Sequence, residues 1–187
     1  MTAAQPAADG PVVDGPVAIL IGPPGAGKST VGALAAASLG TGFADTDAWV
    51  EEAAGKPVSD IFLTDGEDAF RALEREAAAR LIAGHRGVLA LGSGAVLDPG
   101  VQRLLAGQRV IYLETGFPAV VRRSGLDGPA PPVPGNPRGR LRQQLAERHP
   151  VYAGLAQAVV RTDDRDAAEV ARLVTAQVAA LSGTGRP

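Results

Sequence analysis

The sequence predicts an α/β domain in which a five-stranded parallel sheet is flanked by helices on both faces. Two observations predict this fold: five short runs rich in Val, Leu and Ile, and helical patterns that alternate with them. The runs are largely apolar throughout, as in strands buried on both faces. They are VAILI (17–21), a short run in GFADTD (42–47), GVLALG (87–92), RVIYLE (109–114) and AVVRT (158–162).

Six helical patterns follow these runs, at residues 28–39, 64–84, 99–107, 117–125, 138–149 and 165–181. In the second of them, Thr64 and Glu67 have the spacing of a capping box and predict the start of the helix. Its buried stripe is expected to consist of Phe70, Leu73, Ala77 and Leu81.

A glycine-rich stretch, GPPGAGKST, lies directly after the first apolar run and before the first helix. It fits G-x-x-x-x-G-K-[ST], in which backbone amides surround phosphate oxygens, the lysine reaches the terminal phosphates and the hydroxyl can bind Mg²⁺. A plain strand-to-helix turn is the alternative, but the chain has only two lysines, so a chance match is improbable. The loop is therefore predicted to bind a nucleotide through Gly25, Ala26, Gly27, Lys28, Ser29 and Thr30.

Composition excludes several classes of protein. The 187 residues include no cysteine, which excludes disulfides, thiolate zinc sites and a cysteine nucleophile. A formal net charge of −2 gives no basic excess that would indicate nucleic acid, and no apolar run approaches the length of a membrane span. His85 and His149 are expected to be surface or structural residues rather than metal ligands. These features predict a cytoplasmic protein without nucleic-acid or membrane partners.

The chain is expected to form one domain over residues 17–182. Residues 1–16 lack both the basic and the apolar segment of a secretory signal and are expected to be a disordered extension. Residues 183–187 are expected to be a tail. The stretch LDGPAPPVPGNP (126–137) contains five prolines, which exclude a regular helix interior or a central strand. Its length favours a lid, at about residues 125–137.

Asp45 and Asp47 stand two residues apart at the predicted end of the second strand. If the strand continues through both, its period of two places their carboxylates on one side. One could then complete a Mg²⁺ site with Ser29, while the other accepts a hydrogen bond from an alcohol acceptor. An Asx turn or a helix N-cap is the alternative interpretation of the same pair.

The motifs taken together resemble the shikimate kinase family. The resemblance runs through GxxGxGKS, D-T-D, G-E-x-x-F-R, L-G-x-G-A, the lid and R-x-P-x-Y, over roughly residues 17–175. The string DTDAWVEEAAGKPVSDIFLTDGEDAFR is its most specific part. The resemblance implies a P-loop fold like that of nucleoside monophosphate kinases, and Mg²⁺-dependent transfer of phosphate from ATP to the 3-hydroxyl of shikimate by a monomer.

The resemblance also implies roles for residues on the nucleotide side. Lys28 contacts the terminal phosphates, and Ser29 and Asp45 organise Mg²⁺. Arg123 and Arg165 fall where the family has residues that flank the adenine.

On the acceptor side, the resemblance implies that Asp47 binds and polarises the shikimate hydroxyl, so that Lys28 and Asp47 are the catalytic pair. Arg71 and Arg148 fall where the family binds the shikimate carboxylate, which a guanidinium fork can hold with two hydrogen bonds. For Arg71, the alternative is a surface position on a charged helix face. The backbone that approaches the acceptor is formed by Gly92, Ser93 and Gly94.

Two departures from the family pattern stand out. Ser93 occupies the middle of a motif that is usually three glycines, and Ala130-Pro131 stands where the family lid has Arg-Pro. A missing arginine removes positive charge from the transferring phosphoryl group and can cost about 10³ or more in rate. Arg138 and Arg140 follow the lid and are candidates to replace it.

Three functions remain open on the sequence alone: shikimate phosphorylation, phosphorylation of another carboxylated or cyclic polyol, and a nucleotide-binding paralogue of low activity with a regulatory role. The first is favoured by the retained residues Lys28, Ser29, Asp45, Asp47, Arg71 and Arg148. Ser93 and the altered lid support the second, and the missing lid arginine is the only feature that supports the third.

Overall fold

The computed structural model describes residues 15–123 and 136–183. Five parallel strands form one sheet in the order β2-β3-β1-β4-β5, which confirms the predicted sheet. The strands are β1 (Ala18–Ile21), β2 (Phe43–Asp45), β3 (Val88–Ala90), β4 (Val110–Glu114) and β5 (Ala158–Arg161). The expected lid lies almost wholly outside the described residues, as do most of the N-terminal extension and of the C-terminal tail.

Eight α-helices lie in the described part of the chain, with a short 3₁₀ helix at Ala95–Leu97. They are α1 (Lys28–Ser38), α2 (Thr46–Ala54), α3 (Val58–Thr64), α4 (Glu67–Gly84), α5 (Pro99–Leu105), α6 (Phe117–Arg123), α7 (Pro137–Leu155) and α8 (Ala167–Gly183). Within the described residues no helix is both long enough and apolar enough to cross a membrane.

The helices cover both faces of the sheet, because successive residues of the central strand β1 point to opposite sides. Leu20 packs with residues of α1 and α8, such as Val31 and Val174, on one face. Ile19 and Ile21 pack with residues of α4, α5 and α7 on the other. All four residues of β1 are inaccessible to solvent. The phosphate loop therefore leaves the sheet from its most firmly held strand.

Two helices, α2 and α3, were not expected, and they change the position of Asp47. Strand β2 ends at Asp45, and Asp47 lies in the first turn of α2. The argument from a strand period of two was therefore wrong. Asp45 is the N-cap of α2, and its side chain accepts a hydrogen bond from the amide of Asp47. The alternative interpretation of this pair as a cap describes the local structure.

The start of α4 also differs from the prediction. Thr64 ends α3 and its hydroxyl bonds to the carbonyl of Asp60, while Gly66, at φ 86°, is the N-cap of α4 with no side-chain cap. The capping box is therefore absent at this helix start. Of the expected stripe, Phe70 and Ala77 are buried, whereas Leu73 and Leu81 are half-buried; the other buried positions are Glu74, Ala78 and Ile82.

A close backbone approach beside β2 and β3 generates a prediction about stability. A Cβ at Gly87 would collide with the carbonyl oxygen of Gly42, which accepts the amide of Val88 at 2.9 Å. We expect Gly87→Ala to lower the free energy of unfolding by about 1–3 kcal/mol, the usual cost of overpacking. The measurement is urea denaturation.

Gly84→Ala is the matched control, since a Cβ there meets nothing within 4 Å and the residue ends a helix. Alanine at that position should leave stability unchanged or raise it slightly. Equal stability of the two variants would contradict the prediction.

Candidate active site

The phosphate loop connects β1 to α1 at the carboxyl end of the sheet, and its glycines are required by its backbone. Gly25 and Gly27 have φ of 74° and 87°, in the left-handed region. At Gly22 a Cβ would lie 2.7 Å from the carbonyl oxygen of Leu113. Among the described residues no side chain caps the start of α1, so its first amide groups are not occupied by side chains of this part of the chain. Such a helix start attracts anions.

Lys28 points back over this loop. Its ammonium donates hydrogen bonds to the carbonyl oxygens of Gly22 at 2.9 Å and Pro23 at 3.2 Å, and makes a longer one to Ser93 Oγ at 3.4 Å. Burial lowers the pKa of Lys28 to about 8, and the charges of Asp47 and Asp45 act in the opposite direction. Lys28 is half-buried, and within the described residues its ammonium makes no salt bridge with a carboxylate. Both conditions favour the binding of an anion.

Ser29 and Asp45 form the oxygen pair expected to bind a metal. Ser29 Oγ donates to Asp45 Oδ2 at 2.6 Å, while Asp45 Oδ1 accepts the amide of Asp47 as the cap of α2. Mg²⁺ prefers oxygen ligands and is usually held by one or two protein groups together with substrate phosphates, so this donor set fits it. In the described chain, no group of three or more His, Asp or Glu side chains is placed to hold a metal by itself.

Asp47 faces the same space from the start of α2. Desolvation raises the pKa of its carboxyl to about 6, the charge of Asp45 adds to the effect, and Lys28 opposes it. The shifted group is ionised at neutral pH yet close enough to its pKa to accept a proton. A cavity of about 360 Å³ is lined by Pro24, Gly25, Gly27, Lys28, Ser29, Thr30, Asp45, Asp47 and Ser93.

The stretch Gly92–Gly94 follows β3, and its middle residue, Ser93, lines this cavity. The amide of Gly92 donates to the hydroxyl of Thr46, a buried residue at the start of α2, at 2.7 Å. A Cβ at Gly92 would lie 2.8 Å from both Asp47 Oδ1 and Glu74 Oε1, and one at Gly94 would collide with the guanidinium of Arg71. The two glycines therefore admit the side chains beside them.

Arg71 is held by two carboxylates of its own helix. Its Nη1 lies 2.7 Å from Glu74 Oε2, its Nη2 lies 3.1 Å from Glu67 Oε1, and its guanidinium lies 5.2 Å from the centre of the Phe70 ring. The side chain of Arg71 is 30% exposed, against 51% for Arg75 one turn later. Arg71 is therefore a fixed residue beside Gly94, not a loose surface arginine.

Arg148, on α7, is connected to the Gly92–Gly94 stretch through Tyr152. Burial raises the pKa of the Tyr152 phenol, while the charge of Arg148 and a hydrogen bond from it act in the opposite direction. The hydroxyl of Tyr152 donates to the carbonyl oxygen of Ser93 at 2.8 Å. Arg148 is thereby linked through one side chain to the Gly92–Gly94 stretch. Its neighbour His149 is exposed and lies 3.1 Å from the hydroxyl of Tyr112, a structural position as expected.

A second cavity of about 260 Å³ adjoins the first and shares Gly27 and Thr30 with it. Arg123 and Arg165 lie on its wall. Arg123 donates to the carbonyl oxygen of Gly25 at 3.1 Å and to both oxygens of Thr162 at 3.0 and 2.9 Å. The rest of the lining is formed by Ala26, Val31, Ala167 and Val170. Its apolar surface and arginine edges suit a flat heterocycle.

The possible replacements for the lid arginine lie apart from these walls. Arg138 and Arg140 are exposed in the first turn of α7, and neither lines the two cavities. Ala130 and Pro131 lie outside the described residues.

Glu74 is the site residue that the sequence analysis missed. It is 3% exposed and pairs with Arg71 beside the Gly92–Gly94 stretch. A signal was present, because Glu74 occupies an inward-facing position on α4 between Phe70 and Ala77. A charged residue at such a position is rarely buried without a partner.

Comparisons with known proteins all point to one family. The model of the shikimate kinase family matches residues 24–179. The chain is 51% identical over 165 residues to the shikimate kinase of Thermobifida fusca, covering 88% of this chain and 96% of that protein. It is 50% identical over 165 residues to the shikimate kinase of Salinispora arenicola, covering 88% and 99%. A structure of the Acinetobacter baumannii shikimate kinase in complex with shikimate matches with a TM-score of 0.81 and 30% identity, covering 93% and 97%.

The contacts of Arg123 predict a specific effect on nucleotide binding. Arg123→Ala removes the tie between the phosphate loop and Thr162, and we expect the dissociation constant of ATP to rise about tenfold, since hydrogen bonds from a charged donor contribute roughly 1.5–3 kcal/mol. Calorimetric titration of the nucleotide measures this. Arg122→Ala is the control, because Arg122 is 56% exposed and lies 4.0 Å from Asp164. Equal weakening by both substitutions would contradict the role given to Arg123.

Proposed function

The chain belongs to the shikimate kinase family, and we propose that it transfers the γ-phosphoryl group of ATP to the 3-hydroxyl of shikimate. One observation carries the proposal: Lys28, Ser29, Asp45 and Asp47 line a single cavity. A cation, a pair of metal-binding oxygens and a carboxylate able to accept a proton thus surround one space. Phosphoryl transfer needs these groups in this arrangement.

The nucleotide is proposed to lie across the two adjoining cavities. Its phosphates bind the uncapped start of α1 and the amides of the phosphate loop, and its base enters the cavity between Arg123 and Arg165. Gly27 and Thr30 belong to both linings, so the triphosphate passes beside them. Lys28 then leaves the carbonyls of its own loop for the terminal phosphates.

Ser29 and Asp45 are proposed to hold Mg²⁺ with the phosphates. When bound there, the ion supplies positive charge to the β- and γ-phosphoryl oxygens. Asp45 is fixed for this role, because one of its oxygens caps α2 and the other faces Ser29.

The acceptor is proposed to lie between Asp47 and the two arginines. Arg71 and Arg148 bind its carboxylate, and Asp47 accepts the hydrogen bond of the hydroxyl that reacts. The oxygen of that hydroxyl forms a bond to the γ-phosphorus, the bond to the bridging oxygen of ADP breaks, and the proton passes to the Asp47 carboxylate. The carboxylate of Glu74 keeps the Arg71 guanidinium in place, with Arg71 Nη1 2.7 Å from Glu74 Oε2.

The protein is proposed to act as a monomer. A cytoplasmic location is expected, where ATP is available.

The function is tested by following ATP consumption with purified protein and a panel of polyol acids that includes shikimate and gluconate. We expect shikimate to be the preferred acceptor and Lys28→Ala to abolish turnover with the fold intact. Preference for another polyol acid would show that shikimate is not the acceptor. Binding of ATP without turnover on any acceptor would overturn the assignment as a kinase.

Arg71 predicts a defect confined to the acceptor. Removing one partner of a partly buried charge pair typically costs 2–5 kcal/mol, so Arg71→Ala should raise the KM for shikimate about 30-fold or more and leave the KM for ATP nearly unchanged. Arg71→Lys, which keeps a positive charge beside Glu74, should show the same selective defect in milder form. Arg75→Ala on the same helix is the control and should match the wild type. An unchanged KM for shikimate in Arg71→Ala would remove this residue from the site.

Asp45 and Asp47 should fail in different ways. Asp45→Asn keeps the cap of α2 but weakens a metal ligand, so activity should require about tenfold more Mg²⁺. Asp47→Asn removes the proton acceptor, so kcat should fall by about 10²-fold or more at saturating Mg²⁺. A titration of rate against Mg²⁺ concentration separates the two. Identical Mg²⁺ curves for both variants would show that the roles are not divided in this way.

A further inference from the structure

The middle residue of Gly92–Gly94 is the one position of this stretch with room for a side chain. A Cβ on either flanking glycine would meet Asp47, Glu74 or Arg71, as described above. Ser93 instead turns its hydroxyl into the cavity that Lys28 and Asp47 line. The side chain thus stands in the site without displacing any of the residues around it.

The backbone of Ser93 is held by Tyr152. The carbonyl oxygen of Ser93 accepts a hydrogen bond from the hydroxyl of Tyr152 at 2.8 Å. Tyr152 is 1% exposed and stacks on Tyr112 with ring centres 5.2 Å apart. A backbone held in this way limits the movement of the serine. The Cα–Cβ bond of Ser93 therefore has a defined direction before any ligand binds, and in the free protein its hydroxyl is turned toward Lys28.

Ser93 Oγ lies 3.4 Å from the ammonium of Lys28, a long hydrogen bond that costs little to give up. An anionic oxygen bound by that ammonium falls within reach of the same hydroxyl. Ser93 lines the same cavity as Asp47, which is proposed to bind the acceptor hydroxyl. The phosphate nearest these two residues is the terminal one, because the transferred group must lie next to the acceptor.

We propose that the Ser93 hydroxyl donates a hydrogen bond to the γ-phosphoryl group of ATP and so acts, with Lys28, as a further catalytic residue of this chain. The inference rests on the proposed function for the nucleotide but not on the identity of the acceptor. A serine hydroxyl both accepts and donates, so it accepts from Lys28 in the free protein and donates to the phosphoryl oxygen once the lysine has moved.

The test compares two nucleotides that differ at the γ-phosphate. Dissociation constants of ADP and of a non-hydrolysable imido analogue of ATP are measured by calorimetry with Mg²⁺ and without acceptor, for the full chain and for Ser93→Ala, Ser93→Gly and Ser93→Thr. We expect alanine and glycine to weaken the ATP analogue about tenfold, at the lower end for a hydrogen bond to a charged group, and to change ADP less than about twofold. Threonine keeps the hydroxyl and should retain wild-type discrimination.

Ser182→Ala is the matched control, because its hydroxyl bonds only within α8 in the described chain, to the carbonyl oxygen of Val178. Equal weakening of both nucleotides would indicate a purely structural role and overturn the proposal. An unchanged analogue affinity in Ser93→Ala, or tighter binding in Ser93→Gly, would overturn it as well. Because no acceptor is present, a wild-type protein that fails to phosphorylate shikimate leaves this measurement valid, so the two proposals fail separately.

Discussion

The position of the Lys28 ammonium is the constraint on which the rest of the site depends. It is half-buried and, in the described chain, is held by backbone carbonyls rather than by a carboxylate, so its charge remains available to a ligand. An ammonium paired directly with Asp47 would be neutralised before any phosphate arrived. The loop conformation that makes this arrangement possible depends on left-handed glycines at Gly25 and Gly27. Nucleotide binding is thus prepared by backbone geometry, with side chains in supporting roles.

The sheet order explains why chemistry from distant parts of the sequence meets at one point. Strands β2, β3 and β1 are neighbours, and their carboxyl ends lead into Asp45, the Gly92–Gly94 stretch and the phosphate loop. A parallel sheet places all such ends on one edge. Helix α7 adds Tyr152 and Arg148 from outside the sheet. Three successive strand ends and one helix are therefore enough to build both sides of the reaction space.

The sequence predicted the sheet well because buried strands and the phosphate loop have strong local signals. It failed between residues 46 and 64, where two short helices are separated by Gly55 and Pro57 and neither is long enough to show a clear period. Asp47 lines the same cavity as Lys28 and Ser29, but the argument that placed it there was wrong, since a cap rather than a strand orients the pair. Glu74 was missed although it stands between Phe70 and Ala77 on the buried side of α4, because the predicted stripe of that helix included apolar residues alone.

The double use of Asp45 has an evolutionary consequence. Asparagine caps a helix about as well as aspartate, so an Asp-to-Asn change at this position removes the negative charge beside Ser29 while keeping the start of α2. Such a change costs little folding stability. A duplicated gene could therefore acquire it and still encode a stable nucleotide-binding protein. Alanine at the same position would lose the cap as well and would be selected against for stability. Asparagine at position 45 is thus a marker by which descendants with weakened Mg²⁺ binding could be recognised.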